Sequence, residues 1–103
     1  MESKILTLLG FASKAGRLSF GFASSLEAVN KKKSKLLLVA SDISEKSKKE
    51  IRFVAEKNGV EIINLQSTDT NTLSHSVGRN CGIISVNDDS FASAVAENYG
   101  RKC

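Results

Sequence analysis

The sequence predicts an α/β sandwich, in which helices cover both faces of a central sheet. Two observations support this fold class: short apolar runs at residues 35–40, 60–65 and 82–86 are typical of strands, and amphipathic segments with helical spacing alternate with them. The first run is apolar at every position from 36 to 40, which is typical of a strand buried on both faces. No proline, linker or repeat divides the 103 residues, so we expect a single domain over residues 1–103.

Five segments have the three-to-four residue apolar spacing of helices. The first begins at Ser3 and ends before Gly16, with Ile5, Leu9 and Ala12 on one face. The segments are predicted at residues 3–15, 22–31, 45–58, 69–77 and 89–99, and a very short strand is predicted at residues 18–20.

Residues that accept hydrogen bonds stand before the last three helices, where the first backbone N–H groups need partners. Asp42 or Ser44 is expected to cap the third helix, and Asp42 with Glu45 has the spacing of a capping box. Ser67 or Thr68 is expected to cap the fourth, and Asp88 the last helix.

The charge is unevenly distributed along the chain. The net charge is +4, but residues 1–52 carry eleven Lys/Arg and five Asp/Glu, or +6, and residues 53–103 carry four and six, or −2. A basic half favours a polyanionic partner on one face, and a solubilising surface is the alternative. No apolar stretch reaches the length of a bilayer span, so we expect a cytoplasmic protein with no membrane partner.

The basic half contains a loop bracketed by Gly16 and Gly21, with a helix beginning directly after it. A helix N-terminus offers unpaired N–H groups and partial positive charge to an anion such as a phosphate backbone. Cations stand on both sides of the loop in sequence: Lys14, Arg17, Lys31, Lys32 and Lys33. A plain helix connection, whose glycines adopt positive φ, is the alternative.

Two further segments are candidate contacts to nucleic acid. Lysines 31–33 with Lys35 suit phosphates without sequence preference, or form a solvated helix end. The loop Gly78–Gly82 carries Arg79, Asn80 and Cys81 between its glycines, and it either reaches a base or sugar or is a tight connection. The mixed charges of the third helix are explained by a solvated face.

The sequence contains no recognisable pattern of catalytic residues. His75 is the single histidine and forms no recognisable nucleophilic site, and with Cys81 and Cys103 it makes no metal site. Asp88 and Asp89 are adjacent, as expected for helix capping. We therefore expect no enzyme, no catalytic residues, no metal and no cofactor, and the two cysteines make a disulfide framework unexpected.

Several stretches also occur at a familiar spacing: LGFASKAGRL (residues 9–18), Gly21, KLLLVASDIS (35–44), LSHSVGR (73–79) and FA (91–92). Together they resemble the short bacterial YlxQ-type proteins of the kink-turn RNA-binding ribosomal protein superfamily. The resemblance covers essentially the whole chain. It implies a three-layer α/β/α sandwich with a small mixed sheet of about four strands, and binding to a bent RNA internal loop.

The resemblance also implies contact positions at the start of the second helix. The family motif Gly-x-Asn-Glu-x-x-Lys places its Gly on Gly21, but its Asn falls on Ala23, its Glu on Ser24 and its Lys on Glu27. Ala23 has no hydrogen-bonding group, Ser24 is shorter, and Glu27 reverses a charge. Ser24 and Ser25 retain hydroxyls that can bond to RNA.

The sequence is therefore interpreted as a non-catalytic protein that binds structured RNA, with ribosomal RNA among the candidates and no DNA expected. Gly16, Arg17 and residues 21–25 would form the docking edge, the lysines at 14 and 31–33 would neutralise phosphates, and Arg79 to Gly82 would close over a looped nucleotide. Two alternatives remain open: a protein-interaction module that has lost RNA binding, and an accessory of an RNA methyltransferase.

Overall fold

The computed structural model describes residues 2–99, which form five helices and four strands in an α/β arrangement. The elements are α1 (Glu2–Lys14), β1 (Leu18–Phe20), α2 (Phe22–Asn30), β2 (Leu36–Val39), α3 (Glu45–Asn58), β3 (Glu61–Asn64), α4 (Thr70–Val77), β4 (Ile83–Val86) and α5 (Asp89–Asn98). Each predicted helix and strand is confirmed within one or two residues. Cys103 lies outside the described residues.

The four strands form one mixed sheet in the order β1-β4-β2-β3. β4 is antiparallel to both β1 and β2, and β2 is parallel to β3. Leu38 in the centre of β2 pairs with Ile84 of β4 and Ile63 of β3. The two central strands β2 and β4 are buried at every position, as the continuous apolar run of β2 predicts.

The sheet separates two hydrophobic clusters, so the protein has three layers. Leu36 and Leu38 of β2 pack in the cluster that includes residues of α1, α4 and α5. Leu37 and Val39 point to the opposite face and pack with residues of α2 and α3. Because successive strand residues alternate between faces, one short apolar strand supplies both cores.

The caps differ in part from the sequence prediction. Ser44 caps α3, because its hydroxyl accepts the Ser47 N–H at 3.2 Å, and the capping box of Asp42 with Glu45 is wrong. Asp69 caps α4 by accepting the Thr72 N–H at 2.8 Å, so the expected caps Ser67 and Thr68 are wrong as well.

Asp42 does not cap α3 because its carboxylate bonds to the start of another helix. Asp42 accepts both the backbone N–H and the hydroxyl of Thr70, at 2.9 and 2.7 Å, and thereby joins the β2–α3 loop to the start of α4. Asp88 caps α5 through the Phe91 N–H at 3.0 Å, as predicted.

Among residues 2–99, no helix has the length and apolar character needed to cross a membrane.

Candidate nucleic-acid interface

The α1–α2 connection is attached beside β4 at Arg17 and at Gly21. Gly16 and Gly21 adopt positive φ values of 72° and 91°, which favour glycine. The Gly21 N–H donates to the carbonyl oxygen of Ile83 at 2.7 Å, so the start of α2 is fixed beside the first residue of β4. Arg17 is held by the Ala12 carbonyl at 2.9 Å, and its own carbonyl accepts the Asn87 N–H at 2.8 Å.

The first turn of α2 has no side-chain cap. Gly21 occupies the N-cap position without a side-chain hydrogen bond, and no acidic residue lies in the first turn. The N–H groups that begin a helix therefore have no intramolecular side-chain acceptor here, and they carry the positive end of the helix dipole. This geometry is suited to an anionic group of a ligand.

An open groove runs along α2 beside the edge strand β1, with a volume of about 510 Å³. We call it the β1–α2 groove. Its lining residues come from four separate stretches of the chain: Ser13, Gly16, Leu18, Ser19, Phe20, Ser24, Glu27, Ala28, Lys31, Lys33, Arg79 and Asn87. The fold thus joins the glycine loop, the lysine run and the loop before β4 on one surface.

Arg79 is positioned over the groove by an aromatic ring. Its guanidinium carbon lies 4.8 Å from the centroid of the Phe20 ring, which is cation–π geometry. The loop that carries it is pinned by Ser74, whose hydroxyl accepts the Cys81 N–H at 2.9 Å and donates to the Cys81 carbonyl at 3.0 Å. Asn80 is exposed on the same loop.

Three cations and one carboxylate line the groove. Lys31, Lys33 and Arg79 are exposed, and Glu27 pairs with Lys31 across one helical turn at 2.9 Å. The hydrogen bond and the charge of Lys31 lower the pKa of Glu27, so its carboxylate is ionised at neutral pH. The charge of Glu27, placed where the family motif has lysine, is thereby balanced within α2.

The structure contains a series of hydrogen bonds, joining three polar side chains, that the sequence does not predict. The Ser85 hydroxyl donates to the Asn87 side-chain oxygen at 2.7 Å, and the Asn87 amide donates to the Ser19 hydroxyl at 2.9 Å. Asn87 thus presents a fixed amide at the groove wall. No local pattern marks this residue, because its bond to Ser19 depends on how β1 and β4 pair.

Two of the expected docking residues, Ser25 and Cys81, are buried. Ser25 has no exposed area because it faces inward on α2. Cys81 is 5% exposed, its thiol donates to the Arg79 carbonyl at 3.4 Å, and burial raises its pKa. A Cβ atom on Gly82 would clash with the Ile43 side chain and the Thr70 hydroxyl, so close packing requires glycine at this position.

The remaining predicted residues lie on other parts of the surface. Lys14 lines a depression between α1 and α4 together with Phe11 and His75. Lys32 lines a separate cleft at the other end of α2. Ala23 and Arg17 are exposed near the glycine loop. Among residues 2–99, no group of three or more His, Cys, Asp or Glu side chains could hold a metal ion.

Comparison with known sequences gives the family. The profile of the Ribosomal protein L7Ae/L30e/S12e/Gadd45 family matches residues 3–95. The chain belongs to this family. The resemblance to YlxQ-type members of this ribosomal protein superfamily is therefore confirmed, together with its α/β fold.

Individual relatives agree with this assignment. The chain is 27% identical over 96 residues to the RNA-binding protein YlxQ of Enterococcus faecium, covering 93% of this chain and 91% of that protein. A structure of a Bacillus halodurans protein of unknown function superposes with a TM-score of 0.89 at 23% identity, covering 95% and 98% of the two chains. The Giardia lamblia 15.5kD RNA binding protein superposes with a TM-score of 0.77 at 21% identity, covering 96% and 84%. At these identities the structural matches establish the fold.

Proposed function

We propose that this protein binds structured RNA in the β1–α2 groove and at the start of α2, without catalysing a reaction. The observation that carries the proposal is a groove along α2 that brings Lys31, Lys33 and Arg79 together in a member of this family. The N-terminus of the same helix is uncapped. Phosphates of a folded RNA would lie against these cations and the first N–H groups of α2.

The polar groups of the groove support RNA as the nucleic acid. Ser19, Ser24 and Asn87 place two hydroxyls and an amide among the cations. Groups of this kind bond to the ribose 2′-hydroxyl, which DNA lacks. We therefore propose no DNA partner. The proposal also includes a cytoplasmic location, and ribosomal RNA is the first RNA to test.

The α2 contact positions favour recognition of RNA shape over base edges. Ala23 offers no hydrogen bond to a base, and the carboxylate of Glu27 is engaged by Lys31. Ser24 is exposed and keeps a hydroxyl that can donate or accept. We propose that a kink-turn is bound through its bent phosphate backbone, with Ser24 as the side chain nearest the bases.

Fluorescence polarisation with a labelled kink-turn RNA tests this proposal. The control RNA has its G·A pairs replaced by Watson–Crick pairs, so that it remains a straight duplex. We expect tighter binding to the kinked RNA, and a steep loss of affinity between about 50 and 200 mM salt because several phosphates are neutralised. Equal binding of both RNAs would contradict shape recognition and leave a backbone binder.

Absence of binding to either RNA would favour a second function, a protein-interaction module of the same fold. Ala23 and Glu27 favour this alternative, because both replace groups that would bond to RNA in the family motif. Protein partners that co-purify with the intact chain after nuclease treatment would then support it. Co-purification of an RNA methyltransferase would instead support the accessory role.

A further inference from the structure

A second cleft lies at the opposite end of the sheet from Gly21. Gly21 bonds to Ile83, the first residue of β4, whereas the Lys35 N–H donates at 2.8 Å to the carbonyl of Val86, the last residue of β4. The cleft has a volume of about 320 Å³ and is open to solvent. We call it the Ser34 cleft, and it is lined by Val29, Lys32, Ser34, Lys35, Asn58, Gly59, Val60 and Asp89.

Ser34 carries a buried hydroxyl that makes no hydrogen bond. The residue is 7% exposed, and within the described part of the chain its Oγ atom has no partner. A buried polar group without a partner lowers stability, so its presence beside a cleft points to a ligand that completes it. The Ser34 Oγ atom is covered by neighbouring atoms and would have to rotate about χ1 to reach a ligand in the cleft. This rotation breaks no hydrogen bond, because the hydroxyl makes none.

The backbone at the end of α2 directs neighbouring lysines to two different surfaces. Lys32 has φ of 62°, in the left-handed region that non-glycine residues rarely adopt. After this reversal the Lys33 N–H returns to the Ala28 carbonyl at 2.9 Å. Lys31 and Lys33 therefore line the β1–α2 groove, and Lys32 with Lys35 lines the Ser34 cleft.

The charges of the cleft select a ligand with more than one kind of polar group. Lys32 and Lys35 attract an anion, whereas the Asp89 carboxylate and the C-terminal ends of α2 and α3 repel one. Val60, which is partly exposed, adds an apolar portion to the lining. The volume is at the lower end of the range of about 300–1,000 Å³ for small-molecule pockets, far more than one phosphate fills.

A nucleotide combines these properties. Its phosphate is anionic, its base has flat apolar faces, and the edge of the base carries both donors and acceptors. We propose that the Ser34 cleft binds one unpaired nucleotide of an RNA strand. Lys32 and Lys35 contact the phosphate, the base packs on Val60, and the Ser34 hydroxyl turns to bond to the base edge.

This subsite rests on the proposed RNA-binding function and extends it. The loop Lys31–Lys35 separates the groove from the cleft, and four of its five residues are lysines. A single strand that leaves the groove past Lys31 and Lys33 meets Lys32 and Lys35 on the other side of the same loop. The cleft would thus hold a nucleotide that flanks the folded part of the RNA.

NMR titration of the ¹⁵N-labelled protein tests the cleft directly. The probes are the four ribonucleoside monophosphates and, separately, inorganic phosphate. We expect at least one nucleotide to shift the amides of residues 32–35 and 58–60 with an affinity at least about fivefold above that of phosphate, because the base adds contacts. Equal shifts and affinities with phosphate alone would overturn the nucleotide proposal and leave a weak anion site.

Ser34→Ala separates binding from folding. The variant loses a hydroxyl that has no partner in the free protein, so its urea midpoint should be unchanged or higher. Nucleotide affinity should fall about 3- to 10-fold because one hydrogen bond is lost. Ser25→Ala is the matched control, since it removes the other buried unpartnered hydroxyl, and it should leave the nucleotide affinity unchanged. Equal nucleotide affinity in Ser34→Ala and the unaltered protein would overturn the role of Ser34.

A tailed RNA distinguishes failure of the cleft from failure of the RNA-binding function. The kink-turn RNA is compared with the same RNA carrying a short single-stranded extension. We expect the extension to raise affinity about 3- to 10-fold, and Ser34→Ala to remove that gain alone. No gain for extensions on either end, with the kink-turn still bound, would overturn the cleft as an RNA subsite. Loss of binding to both RNAs would overturn the proposed function, and the nucleotide titration would then decide the cleft independently.

Discussion

Asp42 illustrates how a single carboxylate connects two loops that are distant in sequence. Its two hydrogen bonds from Thr70 tie the β2–α3 loop to the N-terminus of α4. The Thr70 hydroxyl, followed by the Thr70 N–H, lowers the pKa of Asp42. Ionised Asp42 therefore stabilises the fold at neutral pH, although the residue is exposed and its contribution is screened by water.

Asp42→Asn is expected to destabilise the protein at neutral pH, with a difference that shrinks in acid. Because the folded-state pKa of Asp42 is lowered, its stabilisation is present above the unfolded pKa and is lost as the pH falls through the folded pKa. Urea unfolding at about pH 7 and about pH 3 measures this difference. A difference that is constant with pH would contradict the assignment to the ionised form.

Asp69→Asn is the comparison variant for this measurement. Asp69 is the N-cap residue of α4, and an asparagine at this position accepts the same hydrogen bond. We expect a smaller change in the urea midpoint than for Asp42→Asn.

α2 carries much of the proposed function because of the way it begins and ends. Gly21 begins it beside β4 and leaves the first N–H groups uncapped, and Lys32 reverses the chain after its last turn. Both points need left-handed backbone, but glycine fills only the first. A lysine at the second point accepts conformational strain and lines the Ser34 cleft.

Lys32→Gly should therefore stabilise the protein while weakening the cleft. Relief of the left-handed strain outweighs the added freedom of the unfolded chain, and we expect a gain of about 0.5 to 1 kcal/mol in the free energy of unfolding. Nucleotide affinity should fall at the same time, as the NMR titration measures. Lys33→Gly serves as control, because its φ is not positive and the change should lower stability.

At the scale of the whole molecule, the fold gathers cations that the sequence disperses. The β1–α2 groove unites Lys31 and Lys33 with Arg79, almost fifty positions further along the chain, through the pairing of β1 with β4. α3 also carries many basic residues, but they lie on its solvent face with acidic neighbours. The β1–α2 groove and the solvent face of α3 both carry basic residues, but only the groove gathers them from distant parts of the chain.

The triple variant Lys31→Ala/Lys33→Ala/Arg79→Ala is expected to flatten the salt dependence of RNA binding. Each lost phosphate contact lowers the slope of log affinity against log salt by about 0.7 to 0.9, so the triple change should lower it by roughly 2. Polarisation measurements across a salt series give the slope.

Lys46→Ala/Lys49→Ala/Arg52→Ala removes the same charge from α3 and is the matched control. It should leave the slope nearly unchanged, since these exposed residues lie outside the groove. Equal effects of the two triple variants would argue for diffuse attraction and against the groove.

The sequence by itself determined the elements, their order and the α/β class, because apolar periodicity and turn residues act over a few neighbouring positions. It also located the glycine loop, the lysine run and the loop that carries Arg79. Only the tertiary structure decided which of these meet. Sheet pairing set Arg79 on Phe20 and bonded Asn87 to Ser19. Helix orientation buried Ser25, and packing of the α4–β4 loop buried Cys81.

The caps show the same division at short range. Several acceptors compete for the start of α3 and α4, and Asp42 is drawn to Thr70 across 28 positions while Ser44 and Asp69 take the local N–H groups. Likewise the left-handed turn at Lys32 sends one lysine of a continuous run away from its neighbours. Contacts between distant residues depend on how layers pack, and packing is a property of the assembled fold.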